Sequence, residues 1–303
     1  MKNAKKLTAL LLAAALAAGF SGCAPKQEPS QPDGTFVFTQ DNYPRMGGSL
    51  AALPLGEAVT ASVLGIDRES AGQLIVFEGS TTDNYKALVD GTFDILLAYE
   101  PSQEAKEYAE EQGFEWEMTP VGRDALVFIT GEDNPIDSLS TEQIKDIYRG
   151  KLKSWSEVGG SQSEIIPYQR NKDSGSQTLF DKLIDLGDEL MDAPTDKVIG
   201  SMIGLLEVVA DYENSKDALG YTVYYYLTNM ETDKLSRSKI LSVDGVAPSN
   251  ETIASKEYPY TNDFYVVIPK GKAQDDPVYI LYDWIRSAQG LELVEREGYV
   301  PVK

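Results

Sequence analysis

The stretch Ala125–Tyr148, "ALVFITGEDNPIDSLSTEQIKDIY", places two kinds of secondary structure in one short run. Ala125 to Ile129 is continuously apolar and reads as a strand. Ser140 then stands three residues ahead of Gln143, so a hydroxyl and an amide side chain can cap each other's end of a helix that carries Ile144, Ile147 and Tyr148. A strand followed by a capped helix is the repeating unit of an α/β protein.

The same alternation extends in both directions from this stretch. Strand-like runs fall at 36–39, 74–77, 94–98, 125–129, 165–167, 219–226, 240–243 and 264–268, and helix-like runs at 53–64, 84–89, 103–112, 141–148, 177–186, 202–212 and 277–287. Ser102 caps the third of these helices in the same manner as Ser140. Asp276-Pro277 opens the last one, where a missing N–H is harmless. Trp284 shares an apolar helix face with Ile280, Leu281 and Ile285 and reads as core. If 258–303 returns to the first domain, the chain crosses twice between two domains and leaves a cleft suited to a small ligand.

The N-terminus reads differently. Lys2, Lys5 and Lys6 precede an unbroken apolar run from Leu7 to Phe20, the pattern of an export leader. Cys23 follows at once and is the sole cysteine of the 303 residues, so it forms no internal disulfide. Ser21-Gly22-Cys23 resembles a bacterial lipoprotein cleavage site, with Phe20 where leucine is preferred. Residues 24–34, with three prolines among polar residues, are too poor in apolar surface to order themselves and read as a tether.

Composition excludes several functions. The formal net charge of −21 repels nucleic acid and offers no basic membrane face. The absence of histidine removes imidazole triads, imidazole general bases and imidazole metal sites. Carboxylate chemistry survives, either as a calcium site or as a paired-acid hydrolase, but no EF-hand loop occurs and the acids lie scattered along solvated helices. No cofactor, metal site or catalytic residue is expected.

Against this acidic background, three loops combine glycine with small hydroxyls ahead of helical segments: Gly47-Gly48-Ser49-Leu50, Gly79-Ser80-Thr81-Thr82 and Ser174-Gly175-Ser176. Helix starts leave N–H groups unpaired, glycine allows close approach, and Ser and Thr add directed donors, so such loops suit anions. Each alone is also an ordinary cap or turn. The third carries Arg170 at a short offset, and a guanidinium presents a rigid fork to two anion oxygens.

The stretches "YPRMGGSLAALPLGEAV", "FEGSTTDNYKALVDGTFDILLAYEPS", "ALVFITGEDNPIDSLSTEQIKDIYRGKLKSWSEVGG", "IIPYQRNKDSGSQTLF", "LGYTVYYYL" and "GLELVEREGYVPV" together resemble the phosphate-binding lipoproteins of bacterial phosphate ABC importers, especially the Gram-positive branch. The resemblance implies an α/β, two-domain periplasmic-binding-protein fold of type II, with a helix-flanked mixed β-sheet in each domain and inorganic phosphate held in the cleft between them. It implies a leader over 1–22, a lipidated tether over 23–34 attached through Cys23, a first domain of 35–125 with 259–303, and a second of 126–258. It carries phosphate contacts over to Ser49 and the amide of Leu50, to Ser80 and Thr81, and to Arg170, Ser174, Gly175 and Ser176. The implied partners are the permease subunits of an ABC transporter, on the extracytoplasmic face of the cell membrane, with the binding protein a monomer.

Two departures bear on the ligand. Leu50 stands where threonine is common, and Gly47 where aspartate is often found. An aspartate that accepts the proton of bound phosphate in the better-studied branch is replaced in the stretch "AYEPS" by Glu100, which either does the same work or caps the next helix. Asp83 is a second candidate acceptor. The same fold holding an organic phosphate or another oxyanion, in a transport or sensory role, is the alternative.

Overall fold

The computed structural model describes residues 36–193, 195–210 and 216–302; the leader, the tether up to Gly34 and Cys23 lie outside the described residues. One mixed sheet organises the chain. Its strands run in the order Met46–Gly48, Ile95–Ala98, Thr261–Pro269, Trp116–Gly131, Ala218–Val223 and Ile166–Pro167, and Val300–Pro301 and Ser238–Ile240 also pair with Trp116–Gly131.

Trp116–Gly131 serves both halves of this sheet. Up to Ala125 it pairs antiparallel with Thr261–Pro269, and from Leu126 onward with Ala218–Val223. The sequence shows only the apolar part of it, 125–129, because Pro120 and Gly122 interrupt the earlier part. Both residues have a place in the sheet. Phe264 and Tyr265 face Gly122 and Pro120, so Val121 is the extra residue of a bulge, where a proline without an N–H is tolerated. A Cβ on Gly122 would stand 2.2 Å from the Phe264 ring, which makes glycine necessary there.

Helices cover the sheet. Leu53–Leu64 has the bounds its sequence predicts, with proline in its first turn and Gly65 at φ 64° as its left-handed stop. Thr141–Tyr148 is closed by the reciprocal Ser140–Gln143 capping box and buries Ile144, Ile147 and Tyr148. The Tyr148 ring meets Phe180 at 4.7 Å, and Phe180 stacks on Tyr221 at 4.6 Å. Aromatic pairs of this kind add about 0.5–1.5 kcal/mol each beyond burial. They fix the helix Gly175–Ile184 against the second half-sheet, and with it the loop that precedes that helix.

Other expectations change with tertiary context. Residues 36–39 are irregular, and within 74–77 only Val76 makes a bridge, to Gly47. The strand expected over 219–226 stops at Val223, after which Tyr226–Met230 winds into a π-helical turn. The helix Ala288–Arg296, capped by Ser287, was not foreseen. Met202–Ala210 is the described part of the helix expected to reach Tyr212.

Candidate functional site

A cleft of about 390 Å³ opens where the two half-sheets meet, and all three glycine–hydroxyl loops reach it. The first loop leaves the strand Met46–Gly48. Gly48 is required here, since a Cβ would collide with the Leu97 carbonyl at 1.9 Å. Ser49 follows, buried, its amide donating to Leu97 O and its Oγ accepting the Tyr99 amide at 3.2 Å. Ser49 Oγ also lies 3.0 Å from Thr81 Oγ1. One of those two hydroxyls donates to the other, so one proton remains for a ligand. Leu50 lines the cleft with its side chain partly exposed.

The second loop begins the helix Thr81–Val89. Ser80 is its cap: Ser80 Oγ accepts the Asp83 amide at 3.0 Å and donates to Asp83 Oδ2 at 2.7 Å. Its hydroxyl is therefore occupied in both directions. Asp83 also lines the cleft, with Oδ2 held by Ser80.

The third loop carries the cation. Arg170 is buried at 7% exposure, on a short strand that pairs parallel with Val198–Ile199. Its amide donates to Tyr221 OH at 3.0 Å, tying it to the aromatic cluster. Nε donates to Ile199 O at 2.9 Å and Nη1 to Ser176 Oγ at 3.1 Å. Among the described residues no carboxylate lies within ion-pair distance of its guanidinium. Burial pushes its pKa downward, the mark of a cation that has lost water without gaining an anion. Ser174 Oγ accepts the Gln177 amide and Ser176 Oγ accepts from Arg170, so both hydroxyls keep their protons to donate. Gly175 sits so close to the second loop that a Cβ would stand 2.6 Å from Thr81 Oγ1.

Ser49, Leu50, Ser80, Thr81, Arg170, Ser174, Gly175 and Ser176 are thus brought to one cleft. Glu100 is not among the residues lining it. Its Oε1 accepts from Lys182 Nζ at 2.6 Å and from Tyr265 OH at 3.0 Å. Its side chain reaches a lysine on the helix Gly175–Ile184 and joins the two halves of the molecule beside the cleft.

The cleft also contains residues that the sequence reading passed over. Gly200 and Ser201 open the helix Met202–Ala210, with Ser201 Oγ accepting the Gly204 amide, and they repeat the glycine–hydroxyl signature that marks the other loops. Together with Thr81–Val89 and Gly175–Ile184, this makes three helix starts that line the cleft, and the unpaired N–H groups and positive dipole end of a helix start favour an anion. Tyr99 and Asn171 line it too. Tyr99 OH donates to Asp124 Oδ2 at 2.6 Å, and Asp124 Oδ1 accepts the amides of Ala125 and Tyr225. Burial pushes the Asp124 carboxyl up to about 6, against the pull of these donors. No local pattern signals that contact, because it joins residues from separate elements. The described residues contain no group of three or more acids or cysteines able to hold a metal, and no helix long and apolar enough to cross a membrane.

A family model described as a PBP superfamily domain matches residues 76–288. The chain is 28% identical over 185 residues to the phosphate-binding protein PstS of Borreliella burgdorferi, covering 59% of this chain and 64% of that protein. It is 28% identical over 215 residues to the phosphate-binding protein PstS of Bacillus subtilis, covering 70% of this chain and 64% of that one. The chain therefore spans less than two thirds of the length of these relatives. A Clostridium perfringens protein solved with bound phosphate superposes with a TM-score of 0.68 at 23% identity, over 86% of this chain and all of that one. The likeness shows a two-domain, mixed α/β fold in common.

Proposed function

The chain belongs to the PBP superfamily, and from that premise we propose that it captures inorganic phosphate outside the cell and passes it to the permease of an ABC importer. The observation that carries this reading is Arg170, a buried guanidinium without a carboxylate partner among the described residues, held by Ile199 O and Ser176 Oγ. A buried charge is costly until it is paired, so the cleft asks for an anion. The hydroxyls of Ser174, Ser176 and the Ser49–Thr81 pair, with the helix-start amides and the amide of Leu50, surround that anion with donors. Relatives named as phosphate-binding proteins support the identity of the anion. The protein binds its ligand without altering it.

In this reading the lobes are 35–125 with 259–303 and 126–258. The handover of the shared strand from Thr261 at Ala125 to Val223 at Leu126 supports that division. Cys23 carries the lipid that holds the protein at the outer face of the membrane, and the tether lets it reach the permease. Isothermal titration of protein stripped of carried-over ligand tests the reading. Tight phosphate binding with little response to sulfate is expected, and silence toward both anions would overturn it.

A further inference from the structure

Arg170 and Ser174 belong to the cleft wall, and one residue behind that wall holds both of them. Gln177 is the third residue of the helix Gly175–Ile184, is buried, and is not among the residues lining the cleft. Its amide donates to Ser174 Oγ at 3.1 Å, which leaves the Ser174 proton for a ligand. Its side-chain Oε1 accepts the Arg170 amide at 3.2 Å and also the Tyr221 hydroxyl, while Tyr221 OH accepts the same Arg170 amide at 3.0 Å. Two acceptors therefore share one backbone N–H of the residue that carries the cation.

The partners dictate a glutamine at this position. Oε1 faces two donors, and Nε2 donates to Asp181 Oδ1 at 2.8 Å, so the side-chain amide fits only one way round. A methionine would fill the same space without the acceptor, and a glutamate would set a second carboxylate against Asp181. Tyr221 is held in turn by its stack on Phe180 at 4.6 Å, and burial pushes its hydroxyl pKa upward, so it keeps the proton that it gives to Gln177. Arg170 needs this support because its strand, Gln169–Arg170, is only 2 residues long. Beyond it, Nε is tied to Ile199 O and Nη1 to Ser176 Oγ, and no contact among the described residues claims Nη2.

We propose that Gln177 and Tyr221 are positioning residues for the anion: neither lines the cleft, yet together they fix the direction of the Arg170 fork, and Gln177 also sets the polarity of Ser174. The inference rests on the phosphate reading above. A guanidinium free to change rotamer must be ordered by each ligand that arrives, at the expense of affinity, whereas one already held is ready to bind.

Titration of the full chain, stripped of ligand, with inorganic phosphate tests the proposal. Gln177→Met and Tyr221→Phe nearly keep the volume of the side chain, and each should weaken phosphate about three- to tenfold, the cost of ordering one long side chain on binding. In an Arg170→Ala background the same substitutions should cost less than about twofold, because the group they position is gone. Tyr148→Phe removes a hydroxyl from the same aromatic cluster, one bonded to Tyr168 O at 3.3 Å, and should lower the melting temperature while leaving affinity unchanged. The Nε–H resonance of Arg170 in ligand-free protein gives a reading that needs no phosphate: its exchange with solvent should quicken at least about threefold in both variants. Folded variants within about twofold of wild-type affinity overturn the proposal, as do losses that persist undiminished beside Arg170→Ala, which would be independent of the arginine. An Arg170 resonance that does not change, or a loss in Tyr148→Phe equal to that in Tyr221→Phe, overturns it as well. Wild-type protein silent toward phosphate refutes the reading on which the proposal rests, and the Arg170 resonance then decides by itself whether the two residues hold the guanidinium.

Discussion

The loops Gly79-Ser80-Thr81 and Ser174-Gly175-Ser176 look alike in sequence, meet at one cleft and each start a helix, yet they use their hydroxyls in opposite ways. Ser80 closes a capping box with Asp83, giving and accepting a hydrogen bond within its own turn. Ser176 is one residue inside its helix, is not the cap, and accepts from Arg170 while keeping its proton. Ser174 does the capping there, and no acid at the third helical position claims its proton, because Gln177 turns its side chain to Asp181 and receives the Tyr221 hydroxyl. The identity of the residue three positions after the cap therefore decides whether a glycine–hydroxyl loop has a proton left for a ligand.

The largest test of this contrast is Arg170→Ala, which should weaken phosphate binding by about 2–5 kcal/mol as the ligand loses its buried countercharge. Lys172→Ala, in the same loop, should change it little. Comparable small losses in both, read by titration, would place the anion elsewhere. Ser176→Ala comes next. A hydrogen bond to a charged group contributes about 1.5–3 kcal/mol, so phosphate affinity should drop at least tenfold with the melting temperature nearly unchanged. Ser80→Ala should show the reverse pattern. Urea unfolding should reveal about 1 kcal/mol of lost stability from the missing cap, with phosphate affinity held within about twofold. If Ser80→Ala costs affinity and Ser176→Ala costs stability, the contrast has been drawn the wrong way round. The smallest effect belongs to Glu100→Gln, which loosens a partly exposed ion pair to Lys182 and should alter phosphate affinity by less than about 1 kcal/mol.

Much of this was legible in the sequence, for reasons specific to each element. The helix 53–64 could be bounded from Pro54 and Gly65, and the Ser140 capping box from its spacing, because caps are local chemistry. Arg170, Ser174 and Ser176 could be grouped as one candidate loop because charge and glycine–hydroxyl pattern coincide there, and the fold brings all three to the cleft. Glu100 could not be placed, since its partners Lys182 and Tyr265 are distant in sequence and only the fold brings them near. Tyr99 was not singled out for the same reason: its hydroxyl meets Asp124, which sits on another strand. The early part of Trp116–Gly131 was hidden because proline and glycine signal a break unless a bulge and a facing phenylalanine are known to be present.

That strand has a mechanical consequence for the chain as a whole. At about 3.4 Å per residue, its 16 residues reach roughly 50 Å, through the centre of both half-sheets. Neither lobe can be excised as a module, because cutting between Ala125 and Leu126 ends the run of backbone pairing that both share. Heating should therefore melt the protein in one calorimetric transition, and two separable transitions would contradict this. Under the proposed function, in which the lobes close on an anion and open again, the continuous backbone would work as a leaf spring that bends without a separate joint.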